Sequence, residues 1–309
     1  MKVCFIGLGS IASRHIKNLN SLFGTKIVTD VVRSGHGKAK CQDLEGLIDH
    51  VYEENDAIPC DYDVIFITNP TNLHYATLKG MHCHGRHFFI EKPVFETGKE
   101  DIAGLKLRGD SIYYVACPLR YTNVIQHLKK NIDFSKVYSI RCISSSYLPD
   151  WRPGTDYRDT YSAKRLFGGG AAIDLIHEWD YIRYLIGEPE KVCCFKGKKS
   201  DLEIDSDDVA VYIAEYPDKM VELHLDYFGR VPVRKLELYS RNDVIIADLL
   251  EQKIVYERTG TQVDFAEDRD SYQKKELIHF FSIIKGVAVN DNSIFNGCRT
   301  LRIAHGEIG

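Results

Sequence analysis

The sequence predicts an α/β protein in two parts: a doubly wound parallel sheet over residues 1–119, then an α+β part over 120–309 with an open, mostly antiparallel sheet. Two observations predict it. Over the first 118 or so residues, short apolar runs alternate with helix-like stretches. From about residue 135 the strand patterns lengthen and alternate more clearly.

The apolar runs of the first part, 2–6, 27–32, 64–68, 87–90 and 112–117, are strand-length and rich in Val, Ile and Phe. Runs of this kind suit parallel strands covered on both faces. The stretches between them, 11–23, 38–49, 72–84 and 98–107, carry helical patterning. Such alternation implies a doubly wound sheet. In the second part, strands are expected at 136–146, 191–196, 209–215, 220–228, 233–239 and 243–249. Pro217-Asp218-Lys219 and Arg241-Asn242-Asp243 suit hairpin links. Helices are expected over 161–186 and near 270–286 and 297–307. The helices cover one face of this sheet, which leaves the other for contact between subunits, in a homodimer or homotetramer.

Composition bounds the partners. The chain has 309 residues, a formal net charge of −4 and 44% hydrophobic residues, enough for two ordinary cores. Charge is mixed, with no long basic or acidic block, which argues against nucleic acid or an anionic membrane as the main partner. No apolar run approaches the roughly 20 residues that span a bilayer. The N-terminus opens directly into a strand, leaving no room for a signal peptide. Nine cysteines, an odd number without a framework, point to a reducing, cytoplasmic setting. His82-Cys83-His84 and His87 read as the end of a helix turning into a strand, so no metal site is expected there.

Gly7-Leu8-Gly9-Ser10-Ile11-Ala12 fits G-x-G-x-x-A between a strand and a helix, the dinucleotide-binding turn of a Rossmann domain. Gly7 permits the tight turn. Gly9 lets the backbone approach a pyrophosphate, and Ala12 lets helix and strand pack closely. The helix N-terminus at Ser10 and Ile11 offers free N–H groups and a partial positive charge. At the end of the second strand, Arg33-Ser34, followed by the turn Gly35-His36-Gly37, offers a guanidinium and a hydroxyl for a 2′-phosphate, so NADP is favoured over NAD. If that strand ends early, Asp30 takes the ribose and the preference reverses.

Asn69-Pro70 follows the strand 64–68, and Glu91-Lys92-Pro93 follows 87–90. In a doubly wound sheet both lie at the carboxyl ends of strands, where ligands bind. Lys92 is then an ionisable group at the reacting end of a nicotinamide cofactor. Farther on, Gly168-Gly169-Gly170 precedes a helical pattern in which Asp174, His177, Glu178 and Tyr181 share a face. An Asp beside a His tunes and orients the imidazole for proton transfer.

With these pieces in order, the chain resembles the glucose–fructose oxidoreductase / inositol dehydrogenase / MocA family over nearly its whole length. The resemblance is carried by Gly7–Ala12, Asn69-Pro70-Thr71-Asn72-Leu73-His74, Glu91-Lys92-Pro93 and the glycine-rich helix with Asp174 and His177. It implies NAD(P)-dependent oxidation or reduction at a secondary alcohol or ketone carbon of a sugar, nucleotide-sugar or related polyol. It also implies cofactor contacts from Gly7, Gly9, Ser10, Ile11, Asn69, Pro70, His74, Glu91 and Lys92. Lys92 is implied to hydrogen-bond the reacting oxygen, with His177 as general acid/base and Asp174 as its partner. The Asp and His lie three apart here, where many members have them four apart; one side chain must rotate by about 100° to compensate.

Asp150-Trp151-Arg152-Pro153-Gly154-Thr155-Asp156-Tyr157-Arg158 and His177-Glu178-Trp179-Asp180 also resemble a subgroup linked to bacterial surface-glycan and nonulosonic-acid pathways. Trp151, Arg152, Tyr157 and Arg158 suit a polar, anionic sugar, since aromatics stack on sugar faces and arginines clamp carboxylate or phosphate. Arg120-Tyr121, after the strand 112–117, is a further expected substrate contact. Two alternatives stand beside the dehydrogenase. One is redox-assisted elimination or hydrolysis with tightly held NAD(H); the other is a nucleotide-binding scaffold without chemistry.

Overall fold

A computed structural model describes residues 1–34, 44–53 and 57–307. Among these are seven α-helices: α1 (Ser10–Phe23), α2 (His74–Met81), α3 (Asn123–Asn131), α4 (Ala171–Asp174), α5 (His177–Ile186), α6 (Arg269–Ile284) and α7 (Ile294–Ala304). The chain divides into two compact units. The first is Met1–Pro118 with Asp268–Cys298; the second is Leu119–Glu267 with Arg299–Gly309.

The first unit holds six parallel strands: β1 (Lys2–Ile6), β2 (Val28–Arg33), β3 (His50–Glu53), β4 (Tyr62–Ile67), β5 (Gly85–Ile90) and β6 (Tyr113–Val115). Their order, β3-β2-β1-β4-β5-β6, is the doubly wound one. Val3, Cys4, Phe5, Ile65, Phe66, Phe88 and Phe89 are fully buried, as strands covered on both faces require. One cover is aromatic. Phe5 stacks on Phe66 at 4.5 Å, and Phe280 of α6 meets Phe89 at 5.3 Å and Tyr114 at 5.6 Å. Burying a side chain like Phe280 contributes about 1.5–3 kcal/mol, which holds α6 in the first unit despite its distance in sequence. A single break at 119/120 therefore differs from the contact pattern by the return of 268–298.

In the first unit one expected helix is missing, one unexpected strand appears, and one expected helix lies partly outside the described residues. Of the helix expected over 38–49, residues 38–43 lie outside the described residues. The stretch expected to be helical over 98–107 contains only the 3₁₀ turn Ala103–Leu105. Gly98 takes φ 74°, and Glu100 and Asp101 carboxylates capture the N–H groups of Thr97 and Gly104, competing with a helix. β3 was not expected at all. It is a four-residue edge strand with Val51 half exposed, so its apolar signal is slight.

The second unit is one eight-stranded sheet, with β7 (Val137–Tyr147), β8 (Lys191–Gly197), β9 (Val209–Glu215), β10 (Met220–Asp226), β11 (Phe228–Ser240), β12 (Val244–Asp248), β13 (Lys253–Tyr256) and β14 (Thr261–Asp264). The order is β14-β13-β12-β11-β7-β10-β9-β8. β7 and β10 pair in parallel and the other pairs are antiparallel. Trp179 of α5 packs edge-on against Tyr212 of β9 at 5.3 Å, which seats the helices on the inner face. On the outer face Phe195 is 72% exposed and Ile213 41%.

The helix expected over 161–186 is broken. Three 3₁₀ turns, Tyr157–Asp159, Tyr161–Ala163 and Arg165–Phe167, precede α4, and α5 starts after Leu175-Ile176. Gly168 and Gly170 take φ of 76° and 136°, where a right-handed helix cannot continue.

Candidate active site

In the first unit the strand register sets a common level. Ile6 of β1 aligns with Val32 of β2 and Ile67 of β4, and Ile67 aligns with Ile90 of β5. Gly7, Thr68 and Glu91 thus leave the sheet side by side at its carboxyl edge. Thr68 Oγ1 donates to the carbonyls of Ile6 (3.1 Å) and Gly7 (2.8 Å), tying two of these loops together. Gly7 takes φ +93°, and a Cβ there would stand 2.8 Å from Asn69 Cα, so only glycine fits. A Cβ on Gly9 would meet nothing within 4 Å. Gly9 is the N-cap of α1 and supplies no side-chain cap, which leaves the leading N–H groups at Ser10 and Ile11 for an anion. These features fit the pyrophosphate of a dinucleotide.

β2 runs on to Arg33, half-buried and aligned with Glu53 of β3, with Ser34 exposed beyond it. The turn Gly35-His36-Gly37 lies outside the described residues. Asp30 is not at the strand end. It pairs in register with Cys4, is fully buried, accepts the Tyr62 hydroxyl at 2.7 Å, and stands 3.0 Å from His50 Nδ1. That carboxylate is engaged inside the sheet.

Beyond β4, the Asn69 amide donates to Thr77 Oγ1 at 2.7 Å. His74, expected at the cofactor, is 1% exposed and serves the loops instead. Its Nε2 lies 2.9 Å from the Asn69 carbonyl, and its Nδ1 3.1 Å from that of Pro93 and 3.2 Å from that of Val94. Burial lowers its pKa, against the pull of these carbonyls, each of which favours a protonated ring nitrogen. Pro70 opens the 3₁₀ turn Thr71–Leu73 that leads into α2.

Glu91 and Lys92 are both half-buried, and the Lys92–Pro93 peptide is cis. Glu91 does not reach outward. Its Oε1 lies 2.7 Å from Nε2 of His15, a residue of α1 that is 1% exposed. Its Oε2 accepts the Lys92 backbone N–H at 3.3 Å. Burial alone would raise the Glu91 pKa. The His15 hydrogen bond and the Lys92 charge outweigh it and hold the carboxyl below the usual range.

In the second unit the glycine-rich stretch packs against its own chain. A Cβ on Gly169 would lie 2.1 Å from the Tyr161 carbonyl, and one on Gly170 2.5 Å from Asp207 Oδ1. Asp207 in turn accepts the Ala172 N–H at 3.0 Å and caps α4. Asp174, at the end of α4, is buried and accepts the Tyr227 hydroxyl at 2.6 Å. Burial, with the Asp174 carboxylate behind it, keeps that phenol protonated. His177 opens α5 and is half-buried. Asp174 and His177 therefore belong to two short helices rather than to one continuous face. Glu178, fully buried, stands 2.7 Å from Arg234 of β11, and Tyr181 lies against Cys142 of β7.

The expected substrate residues separate into two kinds. Arg120 is 3% exposed; its Nε and Nη2 donate to the two oxygens of Asp180 at 2.8 and 2.7 Å, and it lies over the Tyr184 ring. It is a buried structural fork, and Tyr121 beside it is buried too. Arg158 is bound by Asp156 and Glu203, each at 2.7 Å. Trp151 donates to Ser146 Oγ at 2.9 Å and packs edge-on against Tyr227 at 5.2 Å. The Tyr157 hydroxyl accepts the Glu203 N–H at 3.1 Å. Trp151 and Tyr157 both pack on the cluster of Leu148, Ala171, Leu202 and Tyr227. Exposed Arg152 is different: it lies over the Tyr161 ring at 5.2 Å and has no carboxylate in ion-pair reach among the described residues. Arg230, not singled out from sequence, does the same over Tyr147 at 3.7 Å. Tyr147 packs on the same cluster.

His15, Tyr227 and Arg230 have no local signature. Each matters through a partner 53 or more residues away in sequence. Among the described residues no group of three or more His, Cys, Asp or Glu could hold a metal ion. Nor is any helix among them long and apolar enough to cross a membrane.

A family model for an oxidoreductase family with an NAD-binding Rossmann fold (GFO_IDH_MocA) matches residues 1–106, and the model of the GFO/IDH/MocA C-terminal domain matches 125–241. A D-xylose dehydrogenase of Paenarthrobacter nicotinovorans is 26% identical over 55% of the chain and 46% of its own length. An uncharacterised oxidoreductase, YrbE, of Bacillus subtilis is 26% identical over 59% of the chain and 52% of its own. The chain thus spans about half the length of the curated relatives it matches. Two solved structures share the fold. UDP-N-acetylglucosamine 3-dehydrogenase GnnA from Acidithiobacillus ferrooxidans has a TM-score of 0.80 at 19% identity, over 100% of this chain and 96% of that one. A levoglucosan dehydrogenase in complex with NADH has a TM-score of 0.82 at 18% identity, over 99% and 95%.

Proposed function

The chain belongs to the GFO/IDH/MocA oxidoreductase family, and from that premise we propose that it transfers a hydride between a nicotinamide dinucleotide and a secondary alcohol or ketone carbon of a sugar-type substrate. The observation that carries the reading is the common level of Gly7, Thr68 and Glu91-Lys92 at the carboxyl edge of the parallel sheet. The bound nicotinamide supplies the hydride acceptor or donor. Gly7 and Gly9 admit the pyrophosphate to the α1 N-terminus, with the N–H groups at Ser10 and Ile11 facing it. Lys92 donates a hydrogen bond to the reacting oxygen and polarises it. His177, with Asp174 fixed by Tyr227 close to it in the chain, carries the hydroxyl proton.

NADP is the favoured dinucleotide, because β2 extends to Arg33, with Ser34 just beyond its end, while Asp30 is engaged in the sheet. The D-xylose dehydrogenase and the UDP-N-acetylglucosamine 3-dehydrogenase named above support a sugar-type substrate here. Arg152 and Arg230, with no carboxylate in ion-pair reach among the described residues, favour one with an anionic group such as a uronate or a diphosphate. The exposed Phe195 and Ile213 favour a homo-oligomer formed through the outer sheet face.

Titration with NADH and NADPH, read by nicotinamide fluorescence, tests the cofactor assignment. Tighter NADPH binding that Arg33→Ala reduces about tenfold supports it, since one charged contact contributes about 1.5–3 kcal/mol. Lys92→Ala should bind nucleotide and lose turnover. Near-wild-type turnover in that variant would rule out the role given to Lys92.

A further inference from the structure

The geometry points to His15 as a positioning residue: through Glu91 it sets where Lys92 stands, and so couples the dinucleotide helix to the reacting loop. The kinetic side of this rests on the hydride-transfer reading above; the contact itself does not. His15 lies five residues after Ser10, about 7.5 Å along α1 from the end that faces the pyrophosphate. Its ring is fixed between Phe89, edge-on at 5.2 Å, and Phe66 at 6.1 Å. An ionised Glu91 can only accept, so Nε2 carries the proton and donates across 2.7 Å. The other ring nitrogen, Nδ1, is buried with no hydrogen-bond partner among the described residues.

Stability does not account for this arrangement. A hydrocarbon in the same slot would meet Phe66 and Phe89 without leaving a bare buried nitrogen or drawing a carboxylate inward. Buried polar pairs are in general no more stabilising than well-packed apolar replacements. What the pair does is mechanical. Glu91 Oε1 is anchored on α1 while Oε2 holds the Lys92 N–H, so one carboxylate bridges the nucleotide-facing helix and the backbone of the residue that faces the substrate. Glu91 N–H donates to Ile67 O at 2.9 Å, which fixes the base of the same loop to β4.

The test uses the full chain and four forms: wild type, His15→Gln, His15→Leu, and His15→Leu combined with Glu91→Gln. A glutamine amide nitrogen reaches nearly where Nε2 does and can donate to Glu91. Leucine fills the slot and cannot. The double variant removes the buried charge that His15→Leu alone would strand, so it stays folded if the single variant does not. The first readout needs no cofactor and no turnover: the acylation rate of Lys92 by an amine-reactive ester, followed by mass spectrometry. The expected result is a severalfold change in Lys92 reactivity in both leucine forms, with His15→Gln close to wild type. The second readout is kinetic. Here kcat falls about 10- to 100-fold in the leucine forms while the nucleotide Kd changes less than about threefold, as displacement of a reacting group predicts. Unchanged Lys92 reactivity in the folded leucine forms overturns the positioning role. So does His15→Gln behaving like leucine. If Lys92 reactivity shifts as expected but no nicotinamide-dependent turnover of any sugar exists in wild type, the hydride-transfer reading fails and the coupling stands.

Discussion

The assignment of Arg120 as a buried fork rather than a substrate contact makes a quantitative prediction. Arg120 is 3% exposed and Asp180 8%, and the two share parallel bonds of 2.8 and 2.7 Å. Removing the guanidinium in Arg120→Ala strands the Asp180 carboxylate in the interior. Breaking a buried pair this way costs about 3–5 kcal/mol. With a urea m-value of about 2 kcal/mol per molar for a unit of this size, the unfolding midpoint should fall by about 2 M. Asp180→Asn should fall in the same direction. The double variant Arg120→Met with Asp180→Leu should recover most of the loss, because an apolar pair of similar volume avoids the desolvation cost. The assay is urea unfolding followed by far-UV circular dichroism, with substrate KM measured on whatever remains folded. If Arg120→Ala keeps the wild-type midpoint and instead raises KM about tenfold or more, the fork is not structural and the expectation from sequence was right.

Three further outcomes follow from the same geometry. Gly7→Ala should lose about 2–5 kcal/mol of stability from its positive φ and its contact with the Asn69 backbone, while Gly9→Ala should stay within about 0.5 kcal/mol yet bind NADPH at least tenfold more weakly; denaturant unfolding and fluorescence titration separate the two. Gly169→Ala should destabilise the second unit by several kcal/mol, because its Cβ meets the carbonyls of Tyr161 and Ser162, and unfolding midpoints check it. His74 and His87 have pKa values lowered from 6.5, burial being the main cause in both. The unfolded chain therefore takes up protons first as pH falls, so their contribution is complete above pH 6.5 and is lost on acidification below it. Each adds a slope of at most about 1.4 kcal/mol per pH unit. Midpoints at pH 7 and 5.5 should show the decline, and His74→Gln should make it shallower.

The sequence by itself determined the elements whose signal is local. The glycine turn at Gly7 and Gly9 follows from the run Val3–Ile6 before it and the amphipathic helix after it, because a tight turn and a phosphate-facing helix end need nothing from elsewhere. Alternation of period two likewise marked most of the long strands of the second sheet, and buried apolar runs marked five of the six parallel strands. The Gly168–Gly170 stretch was legible as a place of close approach, but not what approaches it. Only the folded chain brings the Tyr161 carbonyl and Asp207 there, and breaks the expected helix between Asp174 and His177.

The uses of charged side chains were decided by tertiary structure alone. Arg120, Arg152 and Arg158 read alike in sequence, yet Asp180 takes the first, Asp156 and Glu203 the third, and the second lies over the Tyr161 ring. Glu91 reads as the neighbour of Lys92, but its carboxylate turns to His15, 76 residues back in the chain. Periodicity records which residues face the core. Which polar group meets which depends on desolvation and hydrogen-bond geometry between strands and helices far apart in sequence, and those exist only once the chain has folded.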